Sequence, residues 1–482
     1  MRLMSTRRES NSVWQTGQGK LWWAVRLPPT MDALAEHIST YAARLTFDDL
    51  TAEAVDGMKR RLVDSIGCGL GGFPGEPVGM ARELAREVVG DPPAHVWFTG
   101  ETTTPEMATF VNGMMLRYLD FNDTYMAREG GHPSDIVAPV LAIADAWCLS
   151  GRDALLAMVV AYEVVCGLAE VERLSVKTID HSLHVAAGSA VGVGKAMGLD
   201  AKQIANALSI AIVSNLSLRV VREGHLSMWK AGSAAHAARN GLFAAQLARR
   251  GMTGPDLPFA AEGGLSGMLG EMPGLPAFGG DGRPFHSELS SIKPFPAQYN
   301  AQASITAALE LRERTGGELP TKLTVRTYGH AVRSCAGGPE KWHVTTRETA
   351  DHSIPYVVAL SLLDGELTPA QFAPERIVDT TVHELMSRIT VEEDAEMTPR
   401  FPGAPSARIE AVLASGHSEV VEVLHAKGHP ANPLSVDEIE AKFRSMADGL
   451  MPTAVCEALL SRLWAFDAET DVSSLVRATV VT

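Results

Sequence analysis

The sequence predicts a mainly α-helical protein that carries a smaller α+β insertion, and three observations lead there. From Met31 to about residue 275, apolar residues recur at helical spacing in runs rich in Ala and Gly, separated by short polar joints. Near residue 290 the period changes, and short alternating runs appear. After Pro430 and Pro433 the helical character returns. This pattern supports a bundle of helices rather than a βαβ alternation.

Residues 1–30 hold Trp14, Trp22 and Trp23 without a clear period and are expected to form a flexible extension. Leu50, Ala54, Met58, Leu62 and Ile66 mark a helix over 50–70. Thr104 is an N-cap candidate with Pro105 at the first helical position, where a missing N–H costs nothing. Met107, Phe110, Val111, Met114, Met115 and Tyr118 then follow helical spacing. Runs 136–149, 152–169, 183–197, 201–215 and 232–250 read the same way, and their small residues allow close packing. In the second region Leu323 to Tyr328 alternates as a half-buried strand does, and Ile389 to Val391 is a second strand candidate. Ile409, Ala411 and Leu413, then Val421 and Val423 beyond Ser415 and Gly416, read as a hairpin. Helical stretches at 300–314 and 353–364 lie between them. Ser435 caps a helix through Met446, and 453–465 is another. The division expected is therefore helical over 31–290, α+β over 291–427 and helical again over 428–482, the last part rejoining the first.

Composition narrows the function. With 46% hydrophobic and 21% charged residues the chain of 482 residues is not a disordered one. A net charge of −15 repels phosphate backbones, so nucleic acid is excluded as a partner, and any anionic ligand needs locally concentrated cations. Cys68, Cys148, Cys166, Cys335 and Cys456 are far apart and contain no C-x-x-C. That argues for a reducing compartment and against zinc-ribbon or iron–sulfur ligation. No uninterrupted apolar run reaches the roughly 18 residues of a membrane span, and Arg7 and Arg8 precede no apolar signal region. A cytoplasmic protein without membrane contact is expected.

Five segments could carry chemistry. The densest, Asp120 to Asp135, lies between two apolar helices and sets His132 between two glycines and a proline, where an imidazole has little packing value. Its Asp-rich start is not a calcium loop, because Tyr125 and Gly131 stand where Gly and Glu are needed. Asp180-His181-Ser182-Leu183-His184 opens a Gly-rich helix; no third ligand accompanies the two histidines, so no metal is assigned. Gly188 to Lys195 has the wrong spacing for a phosphate loop, and helix packing explains its glycines better. Arg219 to Gly232, Ser291 to Asn300 and Asp351 to Tyr356 complete the set. Each cation alone is usually a solvated surface charge. Together they supply what a polycarboxylate substrate needs: Arg and Lys for its charge, His for proton transfer.

The runs LDFNDTYMAREGGHPSD (119–135), WKAGSAAHAARNGLFAAQLARRGMTGP (229–255), KPFPAQYNAQA (293–303) and TRETADHSIPYVVALSLLDG (346–365) resemble the MmgE/PrpD family, over about residues 31–470. Its members include 2-methylcitrate dehydratase and cis-aconitate decarboxylase, with iminodisuccinate epimerase a relative. The resemblance implies a large all-helical domain with a smaller α+β lid inserted, a homodimer, a site between the domains, and no cofactor, metal or iron–sulfur cluster. The family's D-x-x-x-T motif falls on Asp120 and Thr124, its H-P-S histidine on His132, and the histidine of its dehydratase D-H pair on His181. Its lysine before the Ala-rich helix falls on Lys230, its K-x-F-P-A lysine on Lys293 and its lid tyrosine on Tyr356. Where the decarboxylase has a histidine after F-P-A, this chain has Gln298.

The expectation that follows is a lyase of propionate catabolism that removes water from a citrate-like tricarboxylate, 2-methylcitrate first. His132 is the expected base and His181 or Tyr356 the acid. Lys230, Lys293 and Arg219 stabilise developing charge with Thr124, while Asp120 and Gln298 complete the site. Decarboxylation and epimerisation begin with the same kind of chemistry and stay open as alternatives. A non-enzymatic dimeric scaffold is the remaining reading.

Overall fold

A computed structural model describes residues 32–480, apart from residues 172 and 281. The extension expected over 1–30 lies outside the described residues. The helices form where the apolar spacing places them, and their starts are chemically marked. The Thr51 hydroxyl accepts from the Ala54 N–H at 3.1 Å to open Ala52–Gly72. The Thr104 hydroxyl accepts from Met107 to open Pro105–Tyr118. Ser435 and Glu438 form a reciprocal capping box at the head of Val436–Ala447.

The centre of the bundle is Ser182–Ala196, packed between Gly151–Val171 and Trp229–Arg249. The glycines there are spacers. A Cβ on Gly188 would lie 2.4 Å from Val165 Cγ2, and one on Gly241 would lie 2.5 Å from the Ala186 carbonyl oxygen. Helix Gly151–Val171 is long and apolar enough to cross a membrane by length and composition, with a mean hydropathy of 2.0 over its best window. A count of uninterrupted apolar residues passes over it because Glu163 breaks the run. Of that window 94% is buried inside the protein, as in a core helix.

Among the described residues, most buried apolar side chains fall into two clusters. One draws on residues from Ala35 to Ile292 and again from Leu434 to Val476, so the chain leaves this core and comes back to it. The other is built from Ala297 to Ala426. It contains a four-stranded sheet in the order Ile389–Glu393, Lys322–Thr327, Ala407–Val412, Ser418–Val423. The first pair is parallel and the others antiparallel, with Val325 opposite Val391 on one side and Ile409 on the other. The hairpin read from the sequence is the outer pair, Ile409 facing Val421. Helices Gln302–Arg314 and Ile354–Asp364 cover the sheet. Gly279 is held in place: its N–H donates to Glu163 at 2.7 Å, and a Cβ there would meet Phe285 at 2.6 Å.

Candidate active site

The site grows out of the turn that ends helix Pro105–Tyr118. Asp120 has φ +51°, a left-handed conformation that reverses the chain and leaves its carboxylate fully buried. A small hairpin follows, Tyr125–Met126 paired with Gly130–Gly131, and delivers His132 back beside Asp120. Thr124 and Ser291 exchange backbone hydrogen bonds at 2.7 and 2.8 Å. That pairing carries Lys293, two residues on, under the same turn.

Beneath the turn is a buried cluster of charge. The Asp120 carboxylate lies 2.9 Å from Arg117 Nη1, 2.6 Å from Lys293 Nζ and 3.2 Å from Lys230 Nζ. Lys230 also donates to Asp351 at 2.6 Å, and Arg347 reaches Asp351 at 3.3 Å. Burial alone would raise the Asp120 pKa; Arg117, Lys293 and Lys230 hold the carboxyl well below the usual range. Two carboxylates thus face four cations, and the cluster carries an excess of positive charge. Oxygens of Asp120 and Asp351 and a nitrogen of His352 lie within 4.8 Å of one another, a grouping that could hold a metal ion. Both carboxylates, however, are already ion-paired with ammonium and guanidinium groups, which a divalent ion would have to displace.

Two imidazoles stand above this cluster. His132 Nδ1 is 2.7 Å from the Asp123 carbonyl oxygen, which can only accept, while Arg117 Nη2, which can only donate, is 2.9 Å from Nε2. The network therefore fixes a neutral ring with its proton on Nδ1 and a lone pair on Nε2. Burial, together with Arg117 and Lys293, keeps the His132 pKa well below its ordinary value. His181 lies 5.5 Å away, centroid to centroid, in an edge-on arrangement. Its Nδ1 is 3.5 Å from Asp180, and its Nε2 is buried without a partner among the described residues. Burial lowers the His181 pKa to about 4, although Asp180 works the other way.

A cavity of about 430 Å³ opens over these groups. One wall comes from the first core, with Arg117, Thr124, His132, His181, Arg219 and Arg222. The other comes from the second, with Gln298, His330, Arg333, Lys341 and His352. Asp120, Thr124, His132, His181, Arg219 and Gln298 were all read from the sequence and line the cavity together. Lys230 and Lys293 lie one layer below, touching it through Asp120. Tyr356 is a correction. Its hydroxyl donates to the Gln371 carbonyl at 3.0 Å inside the second core, and the residue does not line the cavity. His181 is corrected in one respect as well: a ring held near a pKa of 4 is not a standing acid at neutral pH.

Sequence reasoning passed over Arg117, His330, Arg333 and Lys341, and it gave Arg222 and His352 no role although both lie in segments it singled out. His352 was within reach, beside Asp351 in a segment already singled out. Arg117 sits in an apolar helix, where no local signal marks it as the partner of Asp120.

Fold and site define a class: a mainly helical protein with a polar, cation-rich cleft between two cores. The chain belongs to the MmgE/PrpD family, whose N-terminal domain matches residues 36–274 and whose C-terminal domain matches residues 295–465. Among its relatives, the 2-methylcitrate dehydratase of Cupriavidus necator is 30% identical over 406 residues, 77% of this chain and 79% of the relative. That of Escherichia coli K12 is 31% identical over 372 residues, 70% and 74% of the two chains. The human cis-aconitate decarboxylase is 27% identical over 445 residues, covering 89% and 91%.

Proposed function

We propose that this protein is a hydro-lyase that dehydrates a citrate-like hydroxy-tricarboxylate, 2-methylcitrate being the first candidate. The observation that carries the reading is the neutral His132 ring, its Nε2 lone pair set over a buried cluster in which four cations face two carboxylates. Relatives named for dehydration of 2-methylcitrate support it. In this reading residues 291–427 form a lid inserted in the helical domain and closing over the substrate.

The difficulty of the reaction is the charge that develops when a proton leaves a carbon beside a carboxylate. A preorganised positive cluster in a dry site stabilises that charge. A substrate carboxylate draws the Arg117 N–H away from His132 Nε2, and the freed lone pair takes the proton from carbon. Asp120, 3.9 Å from Nε2, steadies the imidazolium. The C–H electron pair becomes the new C=C bond as the C–O bond breaks. The imidazolium then passes its proton to the departing hydroxide, which leaves as water. One imidazole serves both steps because His181 is neutral and Tyr356 is out of reach. His181 Nε2 accepts a hydrogen bond from the substrate hydroxyl and orients it.

Decarboxylation is the less favoured outcome here. Gln298 accepts from the Asn300 N–H at 2.6 Å and has no proton to lend to a carbanion. The test is incubation of the pure protein with 2-methylcitrate, citrate, cis-aconitate and iminodisuccinate, with ultraviolet detection of the unsaturated acid. Absorbance growth with 2-methylcitrate or citrate is expected. Carbon dioxide from cis-aconitate, or exchange without absorbance change, would replace dehydration by decarboxylation or epimerisation.

A further inference from the structure

Besides the Asp120 cluster, the cavity holds a second concentration of positive charge, on the opposite wall. Three of the arginines lining the cavity have acid partners: Arg117 with Asp120, Arg222 with Asp180 at 3.1 Å, and Arg219 with Glu223 at 3.5 Å. Lys341 and Arg333 have none within ion-pair distance among the described residues, although Glu340 also lines this wall. Lys341 is the unusual one. It is only 4% exposed, yet its side chain makes no hydrogen bond or ion pair among the described residues. Its backbone is fixed: the turn Pro339–Lys341 is tied to the start of helix Ile354–Asp364, where the Ser353 hydroxyl donates to the Lys341 carbonyl at 2.5 Å.

A buried ammonium without a counter-ion is costly, and burial indeed lowers the Lys341 pKa. Lys230 and Lys293, also buried, are ion-paired with Asp120 and Asp351. Lys341 alone among these lysines keeps its charge unspent and faces the cavity.

We propose that Lys341, assisted by Arg333, is a carboxylate subsite that receives an acid group of the substrate remote from the reacting carbon. It makes this chain selective for substrates bearing a carboxylate beyond the one held over Arg117. The subsite deepens the dehydratase reading but concerns binding alone, so the two can fail separately.

The probe is tricarballylate, an unreactive tricarboxylate without a hydroxyl group, titrated calorimetrically into the wild type, Lys341→Met and Lys341→Arg. Loss of one charged hydrogen bond predicts binding about 10- to 100-fold weaker in Lys341→Met. Lys341→Arg should recover part of the loss, and butyrate, with a single carboxylate, should bind both the wild type and Lys341→Met equally. Lys341→Met should also melt no lower than the wild type, since it removes an unpaired buried charge and keeps the apolar stem. Equal tricarballylate affinity in the wild type and Lys341→Met would overturn the subsite, as would a wild type that binds no tricarballylate. A Lys341→Met variant that melts markedly lower would make the residue structural and overturn it too. If binding behaves as expected but no hydroxy acid is dehydrated, the subsite stands and the reaction reading falls.

Discussion

Lys293 donates to both the side-chain carboxylate and the main-chain carbonyl of Asp120, at 2.6 Å each. One ammonium thus fixes both the charge and the backbone of the turn from which the site grows. Breaking a buried ion cluster by removing one partner costs about 3–5 kcal/mol. Asp120→Asn takes the counter-charge from Arg117 and Lys293 and leaves Asp351, shared by Lys230 and Arg347, as the one carboxylate of the four-cation cluster. Lys293→Met leaves Asp120 with two cations. Urea unfolding should therefore show Asp120→Asn as the more destabilised of the two, with activity lost in both.

The buried neutral histidines set the acid limb of stability. His181 and His352 are both lowered to about 4 by burial, against an unfolded value near 6.5. As pH falls below 6.5 the unfolded chain takes up protons that the folded chain refuses. Stability present above that pH is lost between about 6.5 and about 4. Melting curves over this range should fall less steeply for His181→Gln than for the wild type. Parallel curves would mean that the His181 pKa is not displaced.

His286 predicts the opposite sign. It lies between Glu163 at 2.8 Å and Glu170 at 3.0 Å, and Glu170 also accepts from Tyr125 on the site hairpin. Burial pushes its pKa down, but the two carboxylates raise it to about 9. The stability it contributes is complete below about 6.5 and is lost as pH rises through about 9. His286→Gln should lower the melting temperature at pH 7 and narrow its gap to the wild type at pH 10.

The metal-like grouping of Asp120, Asp351 and His352 gives a further test. Because ammonium and guanidinium groups already occupy the carboxylates, prolonged EDTA treatment should leave turnover unchanged. Strong inhibition reversed by a divalent ion would instead assign that cluster to a metal.

The sequence was most informative where a local rule operates. Thr104 with Pro105, the alternation at Leu323 and the Ser435 cap each depend on a few neighbouring residues, and each element stands where its signal lies. The tight Gly130–Gly131 hairpin was not foreseen, because it is only two residues deep on each side. The site was half legible. His132, His181 and Asp120 lie in polar segments that interrupt apolar helices and so stand out. Arg117 and Lys341 acquire their meaning from partners, or from the lack of them, and only the folded chain reveals that. Tyr356 shows the converse: a residue at a motif position points into a core because the helix that carries it, Ile354–Asp364, is apolar on nearly every side.

The central claim is that neutral His132 removes a proton from carbon. It is tested most directly by proton NMR in deuterium oxide, comparing the wild type with His132→Asn on whichever tricarboxylate the wild type dehydrates fastest. Both dehydration and solvent-deuterium incorporation during the reverse hydration should fall by at least about 100-fold in the variant, the usual scale of general-base catalysis. A folded His132→Asn protein that dehydrates and incorporates deuterium at the wild-type rate would contradict the account.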